Sequence, residues 1–236
     1  DCWTYSTPTI ILMETMGRHA GWLAASTACA TFEDRRLVDR IYLPESVFDL
    51  DDFLADTEGL FRENGMVYLV VSEGIKNRDG EFLLSSKSVN DNFGHKQLGG
   101  VSNFLQEQIA EHITPRCKVI NPGIIQRCAF HLVSARDLNE TFDAGYTAVK
   151  EAHAGKSGYM VGFERVQNNP YICYYNLAPL SQVANAEKTV PAEWIVDGRN
   201  VTDDVIEYTR PLMHGEASIQ YKDGLPVFTR LPRKFI

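Results

Sequence analysis

Short, unbroken apolar runs alternate with stretches of helical periodicity along most of this chain. Thr9-Ile10-Ile11-Leu12-Met13, behind Pro8, and Met66-Val67-Tyr68-Leu69-Val70-Val71 read as strands buried on both faces, as in the middle of a parallel sheet. Arg40-Ile41-Tyr42-Leu43-Pro44 and Arg116-Cys117-Lys118-Val119-Ile120 read as shorter strands. Between them, residues 19–30 are rich in Ala and Leu and predict a helix. Asp49-Leu50-Asp51-Asp52 caps a second, with Leu50, Phe53, Leu54, Leu60 and Phe61 on one side and Gly65 at its end. A third runs from Val101 to about Ile113. This rhythm predicts an α/β fold: a layered, mostly parallel sheet with flanking helices.

The later pattern is less regular. Asn121-Pro122-Gly123 turns the chain into a predicted helix from Ile124 through Ala135, and residues 137–154 predict another. Leu138, Phe142, Tyr146 and Val149 form a stripe on that second helix, read as core rather than as a cofactor contact. Gly158 to Val166 and Tyr171 to Leu177 read as strands, and Thr202 to Leu212 as a helix. Trp194, Tyr208, Tyr221 and Phe228 read as packing aromatics.

Composition changes the picture only at its edges. With 236 residues the chain can bury one good core or two unequal lobes. A net charge of −8 argues against nucleic acid, which needs a basic face, but leaves room for a small phosphorylated ligand held by a few local cations. No apolar run reaches the length of a membrane span, so no membrane partner is expected. Cys2, Cys29, Cys117, Cys128 and Cys173 are scattered without metal-ligand spacing, which fits a reduced, cytoplasmic setting. There, the acceptor patterns at Asn139 and Asn200 would not be glycosylated.

Candidate chemistry concentrates at strand ends. Glu14-Thr15-Met16-Gly17-Arg18-His19-Ala20-Gly21-Trp22 takes a strand through a glycine turn into a helix, an arrangement that offers backbone N–H groups to an anion. Gly17 allows close approach, and Arg18 adds a planar, permanently charged fork. Glu73 follows the Met66–Val71 strand, where open parallel sheets place ligands. Arg127 stands near a predicted helix start on a Pro-Gly turn, either as a phosphate ligand or paired with an acidic neighbour. Residues 76–95 form a long polar loop of the kind that is functional or disordered.

Met16-Gly17-Arg18 followed by His-Ala-Gly-Trp, Val70-Val71-Ser72-Glu73-Gly74-Ile75, and Gly123-Ile124-Ile125-Gln126-Arg127 closely resemble motifs of the phosphofructokinases, particularly the pyrophosphate-dependent branch. Phe93-Gly94-His95-Lys96-Gln97-Leu98-Gly99-Gly100 is similar to a phrase of the same branch, and the resemblance covers nearly the whole chain. It implies that Met16, Gly17 and Arg18 touch fructose 6-phosphate, that Glu73 accepts hydrogen bonds from sugar hydroxyls, and that Arg127 binds the 6-phosphate. Ile124, Ile125 and Gln126 join the substrate-binding set through the same motif. Lys96 is a candidate phosphate contact, and His95 a structural or rim residue.

The departures from the family pattern are specific. Ile124 replaces a usual His or Tyr, removing a polar contact. Of the arginines that reach into this site from a neighbouring subunit in bacterial ATP-dependent members, one corresponds to Lys118 and the other to Thr9, which cannot serve. The family's Gly-Gly-Asp loop and its Thr-Ile-Asp-Asn-Asp segment, with the catalytic aspartate, do not occur here. The expectation is therefore a carboxyl-terminal portion of a phosphofructokinase, with no catalytic base of its own, lacking the donor-binding lobe and inactive alone. Mg²⁺ is expected from the family, with ligands outside this chain. Residues 1–122 would hold the acceptor, 123–170 would pack on the absent lobe and expose an apolar face without it, and 171–236 would be a C-terminal extension. Fructose 6-phosphate, pyrophosphate and a second copy in a dimer or tetramer are the implied partners. An ATP-dependent enzyme and a non-catalytic sugar-phosphate module are the alternatives.

Overall fold

The computed structural model describes residues 7–84 and 99–228, so His95 and Lys96 lie outside the described residues. It contains two compact units, Asp1–Gln126 with Asn185–Arg210, and Arg127–Ala184 with Pro211–Ile236.

The first unit is built on a four-stranded sheet. Its strands are β1 (Thr9–Thr15), β2 (Arg40–Tyr42), β3 (Met66–Ser72) and β4 (Cys117–Ile120). They lie in the order β2-β3-β1-β4, and all are parallel. Because both faces are covered, the central strands carry unbroken apolar runs, Ile10–Met13 and Met66–Val71, rather than alternating, with polar residues at their ends. On one face Ile10, Leu12, Val67, Leu69 and Val71 pack with Phe53 of α2 (Leu50–Asn64) and with Val101, Leu105 and Ile109 of α3 (Val101–His112). On the other, Ile41 and Val70 meet Ala24 and Ala25 of α1 (Trp22–Ser26) and Val205 and Ile206 in the later helix Asp203–Thr209.

Local chemistry sets the helix limits. Asp49 caps α2 by accepting from the N–H groups of Asp51 and Asp52, and Gly65 closes it at φ 71°, in the left-handed region. Residues 19–30 do not form the single helix their composition predicts. Only Trp22–Ser26 is α-helical, followed by a 3-10 turn at Thr27–Cys29. Trp22 and Trp194 meet edge to face, and Tyr208 packs against both, so these aromatics do serve packing.

In the second unit the long helix α4 (Ala135–His153) lies beside an antiparallel pair, β5 (Tyr159–Gln167) and β6 (Ile172–Pro179). The predicted helix from Ile124 through Ala135 is broken. One turn at Ile125–Cys128 and a 3-10 turn at Phe130–Leu132 replace it. The cause is Ser134, held extended as the cap of α4, where its Oγ accepts from Asp137 N–H and donates to Leu212 C=O. The stripe Leu138, Phe142, Tyr146 and Val149 is not core: these side chains are 38%, 71%, 66% and 71% exposed. Helical periodicity correctly marks the face as apolar, but among the described residues of this unit these side chains stay largely exposed. Tyr221, expected to pack, is exposed as well, whereas Phe228, also largely exposed, packs its ring against Phe130 at 5.7 Å between centroids.

Candidate functional site

Register brings the carboxyl ends of neighbouring strands level. Thr15 of β1 is opposite Ser72 of β3, and Met13 is opposite Ile120 of β4. The chain leaving β1 is therefore flanked by the segments that leave β3 and β4, and side chains from both grip its backbone.

Met16 N–H donates to Gln126 Oε1 at 3.0 Å. Gly17 N–H donates to Glu73 Oε1 at 3.3 Å, while Gly17 C=O accepts from Ser72 Oγ at 2.6 Å. Glu73 N–H donates to Thr15 C=O at 2.9 Å, so the two loops hold each other. The approach is closest at Gly74, where an added Cβ would stand 2.0 Å from the carbonyl oxygen of Arg18 and 2.4 Å from that of Gly17. Gly17, at φ +150°, is fenced by Ser72 Oγ and Ala20 C=O. Arg18 itself is half-buried beside these contacts.

These bonds correct the expectation of an anion cradle made from backbone amides. The Met16 and Gly17 N–H groups are taken by side-chain oxygens, and Gly21 N–H is taken by Glu45 Oε1 at 2.9 Å. The helix that follows has only five residues. The guanidinium of Arg18 suits phosphate through paired, planar donors.

A second set of contacts secures the same loop from its other end. Glu45 Oε1 also accepts from Val190 N–H at 2.8 Å, and Trp22 Nε1 donates to Lys188 C=O at 2.7 Å. His19 Nδ1 lies 2.8 Å from Glu187 Oε1. Glu14 is 3% exposed at the end of β1, where it receives the Gly100 and Ser102 N–H groups and the Ser102 hydroxyl. A carboxylate at the start of α3 satisfies end N–H groups and favours the helix dipole. Sequence reasoning assigned no role to Glu14, Glu45, Ser72, Gly74 or Glu187. The one visible signal was an acid inside the apolar run Ile10-Ile11-Leu12-Met13-Glu14.

Of the sequence-derived candidates, Met16, Gly17, Arg18, Glu73 and Gln126 come together at this sheet edge. Ile124 and Ile125 follow on the turn after β4, both exposed. Lys118 is exposed within β4, opposite Ile11, and Thr9 is buried in β1. Arg127 is exposed and is the first residue of the second unit. Among the described residues no group of three or more His, Cys, Asp or Glu could hold a metal ion, and no helix is long and apolar enough to cross a membrane.

The family model described as Phosphofructokinase matches residues 4–152, a span that includes every one of these candidates. The chain belongs to the phosphofructokinase family. It is 38% identical over 223 residues to pyrophosphate–fructose 6-phosphate 1-phosphotransferase of Methylococcus capsulatus, covering 94% of this chain and 53% of that protein. The namesake from Xanthomonas campestris is 37% identical, with 94% and 54% covered. The solved structure of pyrophosphate-dependent phosphofructokinase from Nitrosospira multiformis aligns with a TM-score of 0.82 at 33% identity, over 99% of this chain and 56% of that one. The chain thus spans about half the length of the curated relatives it matches.

Proposed function

We propose that this chain supplies the acceptor side of a pyrophosphate-dependent 6-phosphofructokinase, which moves phosphate from pyrophosphate to O1 of fructose 6-phosphate. The observation that carries the reading is the locked loop Met16-Gly17-Arg18, bound to Glu73 and Gln126 at the carboxyl ends of adjacent parallel strands. Relatives named for this reaction support the choice of acceptor and donor.

In this reading Arg18 and Arg127 hold the sugar phosphate. Glu73 accepts from sugar hydroxyls; its bond to Gly17 N–H uses only one of the roughly four lone-pair positions of a carboxylate. Met16, Ile124 and Ile125 line the sugar, and Lys118 serves the shared edge of a homo-oligomer. O1 attacks the terminal phosphorus, the bridging P–O bond breaks, orthophosphate leaves, and the O1 proton passes to a base outside residues 1–236. The chain's contribution is orientation, which makes attack effectively unimolecular. Mg²⁺ would accompany pyrophosphate, as the family implies.

Residues 1–122 hold the acceptor in this scheme, 123–170 pack on a donor lobe, and 171–236 extend the structure, with Asn185–Arg210 folded into the first unit. Among the described residues none of Cys29, Cys117, Cys128 and Cys173 is joined in a disulfide, which fits a cytoplasmic enzyme.

The test is formation of fructose 1,6-bisphosphate by the full gene product with Mg²⁺, given pyrophosphate and ATP in parallel. Turnover with pyrophosphate alone is expected, with Arg127→Ala raising KM for fructose 6-phosphate by roughly 10- to 100-fold, as for loss of a charged hydrogen bond. Turnover with ATP alone would replace the donor, and activity with neither would leave a sugar-phosphate-binding module. Turnover by residues 1–236 alone would overturn the division of labour.

A further inference from the structure

Gln126 was grouped with the substrate contacts because of the motif it belongs to, yet its amide is engaged elsewhere. Oε1 accepts Met16 N–H at 3.0 Å, and Nε2 donates to Gly123 C=O at 3.2 Å. The orientation of the amide is fixed by its partners, since one is a donor and the other an acceptor. The bond to Met16 spans 110 residues of sequence. It is the tether from the β4 side, as Glu73 and Ser72 are from the β3 side.

We infer that Gln126 is a positioning residue: its amide fixes the Met16–Gly17–Arg18 backbone, and through it the reach of the Arg18 guanidinium, instead of touching the sugar phosphate. At neutral pH a primary amide of this length presents an acceptor and a donor together. Glutamate keeps the acceptor but sets a carboxylate oxygen against Gly123 C=O. A protonated glutamic acid restores the pair. Methionine keeps the volume and removes both polar functions.

The catalytic part of this inference rests on the function proposed above, so the experiment has separate readouts. Gln126→Met and Gln126→Glu are made in the full gene product. Amide hydrogen exchange is followed in the peptide containing Met16, alongside kcat and KM for fructose 6-phosphate. Gln126→Met is expected to speed exchange at Met16 and raise KM, each about tenfold, the size of one lost hydrogen bond to a half-buried amide. Gln126→Glu keeps an acceptor for Met16 N–H, so it is expected to show slower exchange at Met16 than Gln126→Met while still falling short of wild type, its second oxygen facing Gly123 C=O. A residue that merely fills space would leave exchange the same in the two variants. Should either variant fail to fold, the other carries the measurement.

Unchanged exchange at Met16 in Gln126→Met overturns the tether, whatever the enzyme does. Faster exchange with unchanged KM, in a protein that uses fructose 6-phosphate, overturns the link from tether to site. A wild type indifferent to fructose 6-phosphate overturns the proposed function, while the exchange readout still decides the tether.

Discussion

Gly74→Ala puts the interlocked loops under direct test. Gly74 has a backbone conformation that other residues adopt, so the substitution adds a methyl group without conformational strain. That methyl would lie 2.0 Å from Arg18 C=O and 2.4 Å from Gly17 C=O, where ordinary contact begins at 3.4 Å. The obstructing atoms are backbone, so no rotamer change relieves them, and the loops must part by more than about an ångström. Parting strains the bonds from Ser72 Oγ to Gly17 C=O and from Glu73 N–H to Thr15 C=O. Overpacking costs about 1–3 kcal/mol and each weakened hydrogen bond about 1 kcal/mol, giving an expected loss near 3 kcal/mol. For a chain of this size that lowers Tm by roughly 6–12 °C. On the function proposed above, displacing Arg18 by an ångström should also weaken use of fructose 6-phosphate by up to about 100-fold. Thermal unfolding and KM for fructose 6-phosphate are the measurements, with Gly59→Ala as control. Gly59 is inside α2 with nothing within 4 Å of an added Cβ, so Ala there should gain about 0.5–1 kcal/mol. A Gly74→Ala protein within 0.5 kcal/mol of its parent, with unchanged KM, would refute the reasoning.

Further outcomes follow from buried titrating groups. Burial pushes the Cys117 thiol up to about 12, so at neutral pH it should resist iodoacetamide until the protein is denatured; native labelling of Cys117, read by peptide mass spectrometry, would contradict this. Asp39 is raised above its ordinary value chiefly by desolvation, against the lowering effects of the Tyr68 N–H bond and of Arg35 and Arg40. The folded state therefore holds this proton more tightly than the unfolded one. The group's contribution to stability is fully present below the unfolded pKa and is lost as pH rises through the folded value. Asp39→Asn can still accept from Tyr68 N–H, so it should flatten that decline and gain on the parent between pH 3 and pH 7; a loss relative to the parent, seen in urea midpoints, would count against it.

Much of the first unit could be read directly because its signals are local. Continuous apolar runs mark β1 and β3, and Asp49 and Gly65 mark the limits of α2. The site was legible as residue types at strand ends, but not as geometry. Nothing local says that Met16 N–H belongs to Gln126, or that Glu14 closes α3 from a strand far upstream. The break before Ser134 escaped because helical propensity continues through Ala129 to Val133, while the extended Ser134 is held by Leu212, seventy-eight residues away. Periodicity located the apolar stripe of α4 but carries no information about what covers it.

The parallel register has a consequence for how the site comes into being. The tethers on Met16 and Gly17 cross 110 and 56 residues, so a growing or half-folded chain has no partial version of the site to offer. A one-residue slip of β1 against β3 would exchange the faces of the strand and carry Ser72 and Glu73 out of reach. A ligand that needs this site would bind only molecules already in register, and would favour them over misaligned ones by mass action.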